Sequence, residues 1–112
     1  MREPRLVVTR GDATGRAFAL KEGDNLVGRA DPEAGASPEV DLEEIDVDAK
    51  VSRRHAIVSC RGATCSIEDV GSLNGTFLNR GPRLTPGERS DLRPGDEVVI
   101  GKTFLRFELA GE

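Results

Sequence analysis

Three short clusters carry the side chains with the most chemistry: Gly28 and Arg29; Ser52, Arg53, Arg54 and His55; and Ser72, Leu73, Asn74, Gly75 and Thr76. Each follows or precedes a run of β-prone residues, so each reads as a polar group at a strand end. A bound phosphate needs a guanidinium fork, hydroxyl or amide donors, and a rigid frame, and the three clusters together contain all of these. The stretch Asp69 to Asn79 is the most informative. Its centre, Gly71 to Gly75, is small and φ-permissive, so it exposes its own amides and carbonyls, while Asn74 offers an amide that both donates and accepts. Such a loop suits the gripping of another chain's backbone; the plain alternative is an Asn-Gly hairpin turn between two strands.

Short strands must position these loops. Thirteen Gly and six Pro in 112 residues cut the chain into pieces too short for capped helices and favour an all-β sandwich or barrel. With four Phe and no Trp or Tyr, Leu, Ile and Val at alternating strand positions must supply most of the core of a single domain spanning residues 1–112. Strands are expected at Leu6–Val8, Ala17–Leu20, Asn25–Arg29, Val40–Leu42, Ala56–Cys60, Cys65–Val70, Thr76–Leu78, Glu97–Gly101 and Thr103–Leu109. Glu22 to Asp24 and Leu92 to Asp96 read as turns. In the last strand Leu105, Phe107 and Leu109 face inward, and Arg106 and Glu108 face out. Ala56, Val58 and Cys60 share a face that pairs with Cys65 and Ile67. The two cysteines are expected as small core residues, with a cross-strand disulfide as the alternative.

Composition excludes several functions. A net charge of −4 and a pI near 5.1 argue against nucleic acid and against anionic membranes. No leader-like opening and no run of 18 apolar residues occur, which leads to the expectation of a soluble, cytoplasmic protein. Residues 31–50 hold eight Asp or Glu against the single Lys50 and read as a solvated loop. Glu43, Glu44, Asp46 and Asp48 lack the spacing and central Gly of a calcium loop, so no metal and no cofactor is expected. His55 is the only histidine, and no Ser-His-Asp order accompanies it, so a structural role is expected and an enzyme is not.

Taken in order, the clusters and the later run Leu92, Arg93, Pro94, Gly95, Asp96, Glu97, Val98, Val99, Ile100, Gly101 resemble the forkhead-associated (FHA) domain, a phosphothreonine-peptide binding module. The resemblance covers nearly the whole chain. It implies a sandwich of two antiparallel sheets, about eleven strands, with binding loops at one end. It also implies a role in Ser/Thr kinase signalling with a phosphothreonine-containing protein or peptide as partner, the alternative being an FHA-type scaffold that binds a partner, or itself, without phosphate. A monomer is the expected state. Position by position, Arg29 and Ser52 match the phosphate ligands, Arg53 a further contact, and Asn74 the clamp on the peptide backbone, with Ser72 and Leu73 beside it in the binding loop. Gly28, His55, Asp69, Gly75 and Thr76 match structural supports of the site. Two positions depart from the pattern. Leu73 stands where many members carry Thr, and the acidic segment is longer than the compact family loop, as in bacterial members.

Overall fold

The computed structural model describes residues 2–35 and 37–111 and folds them into two five-stranded sheets. In chain order the strands are β1 (Glu3–Val8), β2 (Ala17–Ala19), β3 (Gly23–Gly28), β4 (Val40–Asp41), β5 (Ala56–Arg61), β6 (Thr64–Asp69), β7 (Thr76–Leu78), β8 (Ser90–Leu92), β9 (Glu97–Ile100) and β10 (Thr103–Ala110), with one short 3-10 turn at Pro32–Ala34. One sheet runs β2-β1-β10-β9-β7, the other β4-β3-β5-β6-β8. The expected sandwich is present, with ten strands among the described residues.

Period-two alternation builds the core between the sheets, because successive strand side chains point to opposite faces. From one sheet Leu6, Val8, Val98, Ile100, Leu105 and Phe107 are buried, and from the other Val27, Val58, Cys60, Cys65 and Ile67. The inward and outward assignments for β5, β6 and β10 hold, with Leu109 packed half-buried against the core and Arg106 exposed.

Four local expectations change. Cys60 and Cys65, directly opposite in the β5–β6 register with Cα atoms 4.2 Å apart, are buried as expected but joined as a disulfide. The pair faces itself across a two-residue turn, so burial and bonding are compatible. β3 begins at Gly23, earlier than its turn-like sequence suggests, because the buried Asn25 amide donates to the carbonyls of Lys21, Gly23 and Val58 and so anchors the turn to β5. Ser90–Leu92, too polar to read as a strand, becomes β8 by pairing along β6.

The fourth change matters most for the site. β4 pairs with β3 in parallel, Val27 opposite Val40 and Gly28 opposite Asp41, whereas every other pairing is antiparallel. The ends of β3 and β4 therefore emerge side by side, and the acidic residues after β4 lie next to those after β3. The acidic segment is accordingly not a simple solvated loop. Leu42 is fully buried, Ile45 packs against the core, and the side chain of Asp46 is 2% exposed.

Phe107 is the largest fully buried side chain. Its truncation in Phe107→Ala is expected to cost about 3–5 kcal/mol, a large share of the 5–15 kcal/mol typical of a domain's stability. Urea unfolding of parent and variant measures the difference.

Candidate functional site

Register collects the polar loops at one end of the sandwich. β3 ends where β5 begins, with Val27 opposite Ala56, and β6 ends on the same level, with Asp69 opposite Ala56. Thr76, which opens β7, lies opposite Ile100 at the end of β9. Gly28 and Arg29, the segment before Ala56, the loop 70–75 and the Gly101 turn thus converge.

The loop 70–75 is organised around one carboxylate. Asp69 is fully buried, and its Oδ1 accepts from the backbone amides of Gly71 (2.8 Å) and Ser72 (2.9 Å). Its Oδ2 accepts from the hydroxyls of Ser72 and Thr76, the latter at 2.7 Å and itself fully buried. Burial pushes this carboxyl group up, but the four donors outweigh it and hold the group below the usual carboxylate range. Ser72 turns inward to serve this carboxylate and also accepts from the Gly75 amide at 3.0 Å. Expected from sequence among the peptide contacts, its side chain is buried with both hydrogen-bonding directions engaged inside the loop.

His55 joins two loops. It is fully buried; Nδ1 accepts from the Ser52 amide at 3.0 Å, and Nε2 donates to the Gly75 carbonyl at 2.7 Å. An imidazole that accepts through one nitrogen and donates through the other is neutral, in the Nε2–H tautomer. Burial lowers its pKa, and the hydrogen bond to Gly75 offsets this only in part. The Gly75 carbonyl also accepts from the Gly101 amide at 3.0 Å, which ties in the β9–β10 turn. Gly75 has a φ of 93°, a conformation side chains disfavour. Gly28 serves a different need: a Cβ there would lie 1.9 Å from the Arg53 carbonyl oxygen, so only glycine lets the two strand ends close.

Residues 50–53 form the meeting point of the remaining candidates. The Asn74 side-chain amide donates to the Lys50 carbonyl at 3.1 Å, leaving its own oxygen available. Arg29 Nε donates to the Val51 carbonyl at 2.6 Å, and the Arg29 backbone amide reaches the Arg53 carbonyl at 3.3 Å. The Ser52 hydroxyl accepts from the Leu73 amide at 3.1 Å, so its own O–H remains to be given. Leu73 projects its side chain outward, 81% exposed. Arg53 is mostly exposed and lies 3.5 Å from Asp31. The structure therefore brings Arg29, Ser52, Leu73 and Asn74 onto one short segment, with Arg53 at its edge.

Sequence reasoning missed two supports. The Asp46 carboxylate accepts from the backbone amides of Lys50 and Val51, both at 2.9 Å, and shapes the turn that presents Ser52. An Asp four residues before the turn is the available signal, obscured by the other acidic residues around it. Arg83, from beyond β7, donates to the Ser72 carbonyl and flanks Gly75. Nothing in its local sequence distinguishes it. Among the described residues no cluster of His, Cys, Asp or Glu could hold a metal ion, and no helix is long and apolar enough to cross a membrane.

A twin-sheet sandwich that gathers polar, hydrogen-bonded loops at one end has the architecture of a recognition module. A family model for the FHA domain matches residues 25–101, and this chain belongs to that family. It is 42% identical over 106 residues to the oxoglutarate dehydrogenase inhibitor of Corynebacterium glutamicum, covering 95% of this chain and 64% of that protein. It is 41% identical over 102 residues to the FHA domain-containing protein FhaB of Mycobacterium tuberculosis, covering 91% and 58%. The chain thus spans less than two thirds of the length of these relatives. Among solved structures, the FHA domain of an Arabidopsis thaliana hypothetical protein superposes with a TM-score of 0.79 at 28% identity, covering 100% of this chain and 89% of that one. A domain solved in a study of phosphothreonine-dependent FHA domain interactions superposes with a TM-score of 0.77 at 27% identity, covering 98% and 99%.

The neutral buried histidine makes stability depend on pH with a defined sign. Unfolded His55 takes up a proton near its ordinary value of 6.5, whereas the folded state resists it, so the unfolded state binds more protons as pH falls. Stability is expected to be full above about pH 7 and to decline as pH drops through 6.5 and below. A further decline, from Asp69, begins only below its ordinary 3.8. Urea midpoints measured between pH 7.5 and 5 should fall for the parent and stay nearly flat for His55→Gln, which starts lower; parallel slopes would count against this account.

Proposed function

We propose that this domain recognises phosphothreonine in a partner protein and works downstream of a Ser/Thr kinase in the cytoplasm, binding its partner without catalysing a reaction on it. The observation that carries the reading is the meeting of Arg29 and Asn74 on residues 50–53, where Ser52 lies, with the Ser52 and Asn74 loops locked together by His55 and Asp69. Family membership supports it, as does likeness to a domain studied for phosphothreonine-dependent interactions.

In this reading a phosphate docks with one side toward Arg29. The Nε of that residue is already committed to Val51, which fixes the plane of the guanidinium, and the phosphate takes its terminal nitrogens. Ser52 gives its hydroxyl proton to a phosphate oxygen while its own oxygen stays on the Leu73 amide. Arg53 adds long-range attraction from the rim. Asn74, held by Lys50 through its nitrogen, accepts a peptide backbone N–H through its oxygen. Asp69, Ser72, Thr76 and His55 touch no ligand and hold the loops. No proton is transferred in recognition, so the neutral, buried His55 acts as a strut.

Titration with a phosphothreonine peptide and with its unphosphorylated twin tests the reading. Binding only of the first is expected; equal binding of both would replace it with a phosphate-independent scaffold. Charge-assisted hydrogen bonds are worth about 1.5–3 kcal/mol, so Arg29→Ala should weaken the phosphopeptide at least tenfold without unfolding the domain. Asn74→Ala should cost about 1–3 kcal/mol on every phosphopeptide alike, whatever its flanking sequence, because the contact is to main chain. Losses confined to particular peptide sequences would show that Asn74 reads side chains.

A further inference from the structure

Resting on the phosphothreonine reading, the geometry points to Glu43 as an internal counter-anion that holds the phosphate-facing side of Arg29 and that a ligand must displace. The guanidinium is not free. Its Nη1 donates to Glu43 Oε2 at 3.4 Å, and its Nε lies 3.9 Å from Asp46 Oδ2 besides donating to Val51. The parallel pairing of β4 with β3 makes this possible, since it delivers residues 41–43 alongside Arg29.

The two carboxylates have different freedoms. Both oxygens of Asp46 are committed to the Lys50 and Val51 amides, and its side chain is 2% exposed, so it cannot leave without opening the turn. The Glu43 backbone amide donates to Asp41 Oδ1 at 3.0 Å, while its side chain is 51% exposed and, among the described residues, its carboxylate pairs with Arg29 alone. It is therefore the partner that can swing away. A phosphate dianion offers Arg29 more charge and two oxygens in fork geometry, where Glu43 offers one long contact, so the exchange favours phosphate. The Arg29–Glu43 pair is half exposed, and its release costs little. The consequence is a raised threshold: weak anions, including ordinary Asp and Glu side chains of unphosphorylated proteins, must compete with a carboxylate already tethered beside the guanidinium.

Glu44 supplies the control. It carries the same charge one residue on, is more exposed, and pairs with Arg16 at 3.2 Å, away from Arg29. A general effect of the negative segment on an incoming dianion would respond equally to the loss of either charge. Calorimetric titration of the parent, Glu43→Gln and Glu44→Gln with one phosphothreonine peptide separates the two cases. Glu43→Gln is expected to bind 3- to 10-fold tighter than the parent, with Glu44→Gln within twofold of it. Equal affinities for parent and Glu43→Gln, or the same gain in both variants, would overturn the counter-anion role and leave the phosphothreonine reading standing. Failure of all three chains to bind the phosphopeptide would overturn both.

Discussion

The polar end of this domain, where the loops gather, depends on the satisfaction of one buried charge. A carboxylate removed from water is costly unless its lone pairs are met, and Asp69 is met by two backbone amides and two hydroxyls that all lie within seven residues of it. Those four bonds leave the loop 70–75 little choice of path. The path places the Gly75 carbonyl where it can take both the His55 imidazole and the Gly101 amide, so one carboxylate is linked through a chain of hydrogen bonds to three separate loops. A network of this kind is rigid when complete and costly when broken at any member. Rigidity is what a recognition surface needs, because ligand binding then spends little on ordering its own site.

Electrostatics at the rim follows a second constraint, the parallel placement of β4. A strand entering antiparallel beside β3 would have carried its C-terminal residues to the opposite end of the sandwich. Instead the acidic residues that follow it are set beside Arg29, with Glu43 and Asp46 both within ion-pair distance of its guanidinium. The negative segment is therefore divided by role. Asp41 and Asp46 bind backbone amides and shape the chain, and Glu43 faces a cation on the surface. Net charge alone would have treated these carboxylates as equivalent.

Much of this was legible without coordinates. Period-two alternation of Ala56, Val58 and Cys60 against Cys65 and Ile67, and of Leu105 and Phe107, identifies strands and their buried faces, because burial and pleat act residue by residue. The order of Gly28, Arg29, then Ser52 to His55, then Asp69 to Thr76 is enough to mark the polar end, since strand ends and tight turns impose their own residue types. Tertiary structure alone decided which polar groups face inward. Ser72 and Asn74, two residues apart and similar in chemistry, take opposite parts, because one lies within reach of the Asp69 carboxylate and the other of the Lys50 carbonyl. Likewise, β8 owes its existence to a neighbour distant in sequence, Asp46 becomes a strut and Glu43 a counter-ion, and Cys60 meets Cys65 only through strand register. Local sequence carries propensity and pattern; the partner that satisfies a buried donor or charge comes from elsewhere in the chain, and only the closed fold brings it there.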